Sequence, residues 1–143
     1  MSKTAVIYWS GTGNTEAMAS AILDGAKSVN SDVEYFPVSE ISADDAASYD
    51  TLILGCPAMG AEVLEESEFE PFFAKLESKL AGKNVALFGS YGWGEGDWMR
   101  DWEKRVSDAG AKLIGGEGLI INETPDDDGL EKCRELGKTA ASA

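Results

Sequence analysis

Histidine is absent from the 143-residue sequence. That excludes imidazole-based general acid–base catalysis, Ser-His and Cys-His nucleophile pairs and the usual zinc sites in one step. Cysteine occurs only at Cys56 and Cys133, too few for a disulfide framework. Each is expected as a small apolar filler, Cys56 at a strand end and Cys133 on a helix face. Proline occurs 4 times against 43% hydrophobic residues, which describes a globular chain and not a disordered tail. Positive charge is scarce: 12 Lys and Arg stand against 26 Asp and Glu, a formal net charge of −14. Nucleic acid and anionic membrane surfaces are therefore poor partners, whereas a basic docking patch on another protein is a good one. No apolar stretch approaches membrane-spanning length and the N-terminus lacks a signal peptide, so a soluble cytoplasmic protein is expected. The length suits one domain over residues 1–143, and the small acidic surface suggests a monomer.

What the chain does have is a regular alternation of apolar runs and helical patterns, in the order β-α-β-β-α-β-α-β-α. A strand Ala5–Trp9 leads to a helix from about Thr15 to Val29 that buries Met18, Ile22, Gly25, Ala26 and Val29. A short strand follows over Asp32–Val38. Thr51–Gly55 and Val85–Phe88 are continuous apolar runs, as expected for strands covered on both faces. Phe69, Phe72, Phe73, Leu76 and Leu80 mark a second helical face, and Trp98, Trp102 and Val106 mark another over Asp97–Ala109. Leu113-Ile114 and Leu119–Ile121 form a last strand region interrupted by Gly115-Gly116. The final helix starts near Pro125-Asp126 and packs Leu130, Cys133, Leu136 and Ala140. This pattern predicts an α/β fold: a doubly wound parallel sheet with helices on both faces. Ligands of such sheets bind beyond the carboxyl ends of the strands, where strand order reverses. Three loops leave strands at that edge: Ser10–Thr15, Cys56–Glu62 and Ser90–Asp97.

The first loop, Ser10-Gly11-Thr12-Gly13-Asn14-Thr15, joins a strand to a helix start. Small hydroxyl and glycine residues there make a pocket of backbone N–H groups suited to phosphate. Ser10, Thr12, Asn14 and Thr15 can add hydroxyl and amide donors, and no Lys or Arg lies within the run. An ordinary polar cap and turn is the alternative. Three well-known phosphate chemistries fail on specific residues. A P-loop needs Lys after its last glycine, where Asn14 stands. The dinucleotide fingerprint needs a third glycine, where Glu16 stands. A cysteine-nucleophile phosphatase loop needs a Cys, and the run has none. Binding of a phosphate ester without cleavage survives.

The third loop, Ser90-Tyr91-Gly92-Trp93-Gly94-Glu95-Gly96, sets two aromatics among three glycines. Trp93 has no helical or strand partner spacing, so its ring is suited to stack on a flat ligand, unless it packs onto the surface. The second loop, Cys56-Pro57-Ala58-Met59-Gly60-Ala61-Glu62, offers Met59 as a polarizable second face, a gap-filling Met being the alternative. Gly60 is open to backbone conformations closed to other residues. One phosphate cradle and two ring-clamping loops describe a site for a phosphorylated planar cofactor, and FMN fits.

These residues resemble a known family. Ser10–Glu16, Leu54–Gly60, Glu65–Phe72 and Ala86–Gly94 are together similar to the flavodoxins of short-chain type found in anaerobic clostridial bacteria, with a likeness running from residue 1 to about 140. The last strand lacks the insertion of long-chain members. The resemblance implies a five-stranded sheet of order 2-1-3-4-5 with FMN at the first and third strands. It implies that Ser10, Thr12, Asn14 and Thr15 bind phosphate with Gly11 and Gly13, and that Met59 and Trp93 flank the flavin. Glu62 would accept a hydrogen bond from flavin N3, and Asn122 matches a ribityl-contacting position. Pro57 stands where some relatives carry Ser, and Ala61 where relatives carry a polar residue. Pro57, Ala58, Gly60, Ala61, Ser90, Tyr91, Gly92 and Gly94 complete the expected cofactor-binding set. The implied function is low-potential one-electron transfer between redox enzymes, with FMN cycling between semiquinone and hydroquinone and no substrate reaction of its own. A peptide turn at Met59-Gly60 is expected on uptake of the first electron, which a bulky residue at Gly60 would hinder. The acidic protein is expected to make the fully reduced flavin a strong reductant.

Two rivals share the fold. An NAD(P)H-dependent flavin or quinone reductase would need room and positive charge for a second nucleotide, and no basic cluster offers it. A regulatory receiver domain would need clustered acids at the end of the first strand, where Trp9-Ser10-Gly11 stands.

Overall fold

The computed structural model describes residues 3–11, 13–59, 63–92, 94 and 96–143. A parallel sheet runs through its centre. β1 (Thr4–Tyr8) is flanked by β2 (Glu34–Pro37) and β3 (Thr51–Gly55), β3 by β4 (Asn84–Tyr91), and the far edge by β5 (Lys112–Leu113) and β6 (Leu119–Asn122). The strand order is therefore β2-β1-β3-β4-β5, with β6 also on β4.

The fifth place in the sheet is shared by two segments. β5 pairs with Asn84 and Val85, β6 with Phe88 through Tyr91. Between them Gly115 and Gly116 both take φ of 79°, a left-handed backbone that lets the chain leave the edge and return. The glycine pair foreseen as an interruption thus splits one strand into two. β4 is longer than its apolar core suggested, because Gly89, Ser90 and Tyr91 continue the ladder to β6.

Strand side chains alternate between two cores. Ile7, Leu52 and Leu54 face α3 (Phe69–Glu77) and α4 (Asp97–Asp108), where Phe69, Phe73, Trp98 and Trp102 are buried. Val6, Ile53, Ala86 and Phe88 face α1 (Asn14–Lys27) and α5 (Asp127–Ala141), where Met18, Ile22, Cys133 and Ala140 are buried. Trp102 meets Phe69 and Phe73 edge-on, with centroids 5.3 and 5.8 Å away, the geometry aromatic quadrupoles favour. Arg105 of α4 clamps α3: its guanidinium donates to both oxygens of Glu70 at 2.7 and 2.8 Å and of Glu77 at 3.1 and 3.0 Å. Its face lies 4.7 Å from the Phe73 ring centroid. Hydrogen bonding to the two carboxylates raises its already high pKa.

Two expectations need correction. Val29 was assigned to the buried face of α1, but the helix ends at Lys27 and Val29 is 43% exposed. The backbone turns there through hydrogen bonds from the Val29 and Asn30 N–H groups to Ala26 O, which swings Val29 off the apolar stripe. A short 3₁₀ turn, Val38–Glu40, and the one-turn helix α2 (Ala43–Ala46), capped by Ser42 Oγ accepting from Asp45 N, were not foreseen. Segments so short carry too few residues for a period to show.

Both cysteines are free and fully buried, as expected of fillers. Burial pushes the Cys133 thiol up to about 12 and raises Cys56 as well. Neither thiol is expected to react with an aromatic disulfide reagent at about pH 8 until the protein is unfolded, because reaction requires the thiolate. Fast labelling of the native protein would contradict that burial.

Candidate functional site

Strand order reverses between β1 and β3: β1 is followed in space by β2 on one side and by β3 on the other. At the carboxyl end of these two strands lies a cleft of about 240 Å³. One wall comes from the first loop (Trp9, Gly11, Asn14), one from the second (Pro57, Ala58, Met59) and one from the third (Ser90, Tyr91, Gly92), with Glu123 beside them. The three loops singled out from the sequence therefore converge on one cavity.

The first loop is wound tightly. Ser10 Oγ accepts from the Gly13 N–H at 3.1 Å and from the Glu16 N–H at 3.2 Å, so its hydroxyl closes the turn. Gly13 has φ of 96°, which a Cβ would strain, and precedes the first residue of α1. The backbone at Gly11 lies against the Trp9 ring: a Cβ there would come within 3.0 Å of Cη2. Asn14 opens the helix and is among the residues lining the cleft. Thr15 turns inward instead. Its Oγ1 lies 2.9 Å from Ser90 Oγ and accepts from the Ser90 N–H at 3.3 Å, so it pins α1 to β4.

The second loop continues along β4. The Cys56 and Ala58 N–H groups donate to Phe88 O and Ser90 O at 3.1 and 3.0 Å. Met59 and Val63 exchange backbone hydrogen bonds of 2.9 and 3.0 Å, closing a narrow antiparallel pair. Met59 is 36% exposed, an apolar side chain held at the cleft rim. Behind this wall stands Glu65, 6% exposed. Its carboxylate accepts from the N–H groups of Ser67, Glu68 and Phe69 at 2.8, 2.7 and 2.9 Å and from the Ser67 hydroxyl. Burial pushes its pKa up, but these hydrogen bonds outweigh it and hold the group below the usual carboxylate range.

The third loop is fastened from β6. Asn122 Nδ2 donates to Tyr91 O and Gly92 O, both at 3.2 Å, and the Glu123 N–H donates to Tyr91 O at 2.6 Å. Asn122 thus holds the backbone of the third loop through its side-chain amide. Gly94 has φ of 93° and is exposed. Thr12, Gly60, Ala61, Glu62 and Trp93 lie outside the described residues.

Three residues at this edge were missed in the sequence. Trp9 was counted as a strand residue; β1 stops at Tyr8, and the half-buried Trp9 ring lines the cleft with its Nε1 donating to Glu68 Oε1 at 3.3 Å. Glu123 lines the cleft with φ of 56°, among the described residues the one non-glycine in the left-handed region. Thr124 Oγ1 donates to Asn14 Oδ1 at 3.3 Å. No local pattern marks the last two.

The donor set suits FMN. A Cβ built on Gly92, which lines the cleft, or on Gly13, which precedes α1, would meet nothing within 4 Å, so bare backbone faces open space at both residues. The cleft is lined by the polar Asn14, Ser90 and Glu123 together with the apolar or aromatic Trp9, Pro57, Ala58, Met59 and Tyr91.

Comparison with known proteins agrees with this geometry. The family model described as Flavodoxin matches residues 6–137. The chain belongs to the flavodoxin family. It is 53% identical to the flavodoxin of Megasphaera elsdenii over 138 residues, covering 96% of this chain and 98% of that one. To the flavodoxin of Clostridium beijerinckii it is 49% identical over 137 residues, with the same coverage. The solution structure of two-electron reduced M. elsdenii flavodoxin superposes with a TM-score of 0.88 at 52% identity, covering 98% of this chain and 99% of that one. These likenesses are to short-chain members, and the strand order is that of the flavodoxin fold. Members of the family are FMN-binding electron carriers.

Proposed function

We propose that the cleft at the β1–β3 edge holds FMN non-covalently, and that the chain, as one FMN-binding domain over residues 1–143, passes single electrons at low potential between redox enzymes. The convergence of Gly11 and Asn14 with Met59, Tyr91 and Gly92 on one cavity carries this reading. Ser10 closes the loop, the backbone N–H groups at the start of α1 and the Asn14 amide would hold the phosphate, and Met59 and Trp93 would flank the ring. Thr15 supports the phosphate loop by its tie to Ser90. With FMN bound, Glu62 would receive the pyrimidine edge, Pro57, Ala58, Gly60, Ala61 and Gly94 would complete the binding set, and Asn122, through its bonds to Tyr91 O and Gly92 O, would keep that backbone against the cofactor. FMN, when bound, supplies the one-electron chemistry. The chain performs no substrate reaction of its own. Its partners are redox enzymes with basic docking patches, to which a monomer with net charge −14 is complementary. Among the described residues no helix is long and apolar enough to cross a membrane. The two buried free thiols support a reducing, cytoplasmic setting.

The first test is anaerobic stepwise reduction of the FMN-loaded protein, followed by its visible spectrum. Two well-separated one-electron steps are expected; a single two-electron step, with rapid reduction by NADPH, would favour a reductase. Glu123 supplies a second test, since among the described residues it is the charged side chain lining the cleft. A carboxylate about 10 Å from a reduced, anionic ring costs roughly 1.7 kcal/mol at an effective dielectric near 20, before screening. Glu123→Gln is therefore expected to raise the potential of the second electron by tens of millivolts, most at low ionic strength. A potential unmoved by the substitution and by salt would remove this electrostatic account.

A further inference from the structure

The cleft lining at Asn14 is reached by a contact that spans 110 residues of sequence. Asn14 lines the cleft, and its Oδ1 accepts from Thr124 Oγ1 at 3.3 Å. A side-chain amide has one accepting oxygen and one donating NH2 group. With the oxygen committed to Thr124, the NH2 group remains available to donate, and among the described residues it meets no acceptor. The terminal amide torsion is broad and roughly two-fold, so nothing in Asn14 itself selects this orientation. Flipped, Asn14 would present oxygen lone pairs to an anion and repel it.

Thr124 is well placed to hold the Asn14 side chain, its hydroxyl donating to Oδ1. On its N-terminal side, Glu123 N–H and Asn122 Nδ2 are bonded to the third loop. On its C-terminal side, Pro125 restricts the backbone, and Asp126 caps α5 by accepting from Gly129 N at 2.7 Å. The hydroxyl is thus delivered by a short segment fastened at both ends.

We propose that Thr124 is a positioning residue for the cofactor's phosphate: it holds the Asn14 amide with NH2 towards the phosphate loop. The proposal deepens the reading of the cleft given above and rests on it. Apoprotein of the wild type, Thr124→Val and Thr124→Ser would be titrated with FMN and with riboflavin, which lacks the phosphate, by flavin fluorescence quenching. Valine keeps the shape and removes the donor; serine restores the donor. Weakening or misdirecting one hydrogen bond to a charged group corresponds to about a tenfold change in affinity. Thr124→Val is expected to bind FMN about tenfold more weakly with riboflavin affinity unchanged, and Thr124→Ser to bind FMN as the wild type does. The gap between wild type and Thr124→Val is also expected to narrow below about pH 6, where a phosphate monoester loses its second charge. Equal weakening towards both ligands, an unchanged FMN affinity in Thr124→Val, or failure of serine to restore it would overturn the proposal. A wild-type protein that binds riboflavin as tightly as FMN would instead overturn the phosphate-loop reading, and the role of Thr124 with it.

Discussion

Gly137→Ala is expected to lower the unfolding free energy by about 3 kcal/mol or more, where a simple helix-propensity view expects a gain of about 1 kcal/mol. The sign decides the matter. α1 and α5 cross on one face of the sheet at a separation set by backbone. A Cβ on Gly137 would stand 2.1 Å from Ile22 O and 2.8 Å from Ala26 N. On the reciprocal helix, a Cβ on Gly25 would stand 2.0 Å from Arg134 O. These neighbours are main-chain atoms of a helix and cannot swing aside as a side-chain tip could. The helices must separate, and Met18, Ile22, Cys133 and Ala140 lose packing with them. For a chain of this size such a loss corresponds to a fall in Tm of about 10 °C. Calorimetry of the apoprotein would measure it, and a Tm equal to or above that of the wild type would refute the close crossing. Because α1 starts directly after Gly13 of the proposed phosphate loop, FMN affinity is expected to fall as well.

Glu65→Gln is expected to cost about 2–3 kcal/mol at neutral pH, since a buried carboxylate with several donors is exchanged for a group with one accepting oxygen. In the wild type Oε1 serves Glu68 N and Phe69 N, and Oε2 serves Ser67 N and the Ser67 hydroxyl. An amide NH2 turned toward either pair sets donor against donor. The pH dependence has a definite sign. The folded-state pKa of Glu65 lies below its ordinary value, so its contribution is fully present above about pH 4.3 and is lost as pH falls through the folded value. Urea midpoints should therefore differ between wild type and variant at neutral pH and converge in acid. Midpoints that differ equally at all pH values would show that the charge of Glu65 is not what stabilises the α3 start. The site should register the change too. The Glu65 N–H donates to Cys56 Sγ at 3.3 Å, and Cys56 leads directly into the Pro57–Met59 wall of the cleft.

Much of the fold was readable from residue patterns. Thr51–Gly55 is a strand over the same residues as its apolar run, because a strand buried on both faces leaves no polar position to blur its limits. Phe69, Phe73 and Leu76, and Trp98, Trp102 and Val106, are buried at helical spacing as read. Patterns failed where they were too short or where packing overrode them. α2 has four residues and the 3₁₀ turn three, too few for a hydrophobic period to repeat. Val29 fits the spacing of α1 but stands beyond the residue at which the helix unwinds. Gly25 was placed on a buried face, yet the sequence held no sign that its partner is the backbone of α5.

The site divides in the same way. The proposed phosphate loop, Ser10–Thr15, could be read locally because such a cradle is built from consecutive residues, and its described residues show a hydroxyl closing the turn, a glycine at positive φ and a helix start. Strand alternation likewise determined the α/β class and the edge at which the loops would meet. Tertiary structure alone decided which residues share the cleft. Trp9 lies there because β1 ends one residue early, and Glu123 because β6 runs beside β4 and delivers it to Tyr91. Thr124 reaches Asn14 across 110 residues of chain. Local sequence fixes backbone conformation over a few residues, whereas neighbours across a sheet are fixed by strand order and register, which no short run of residues records.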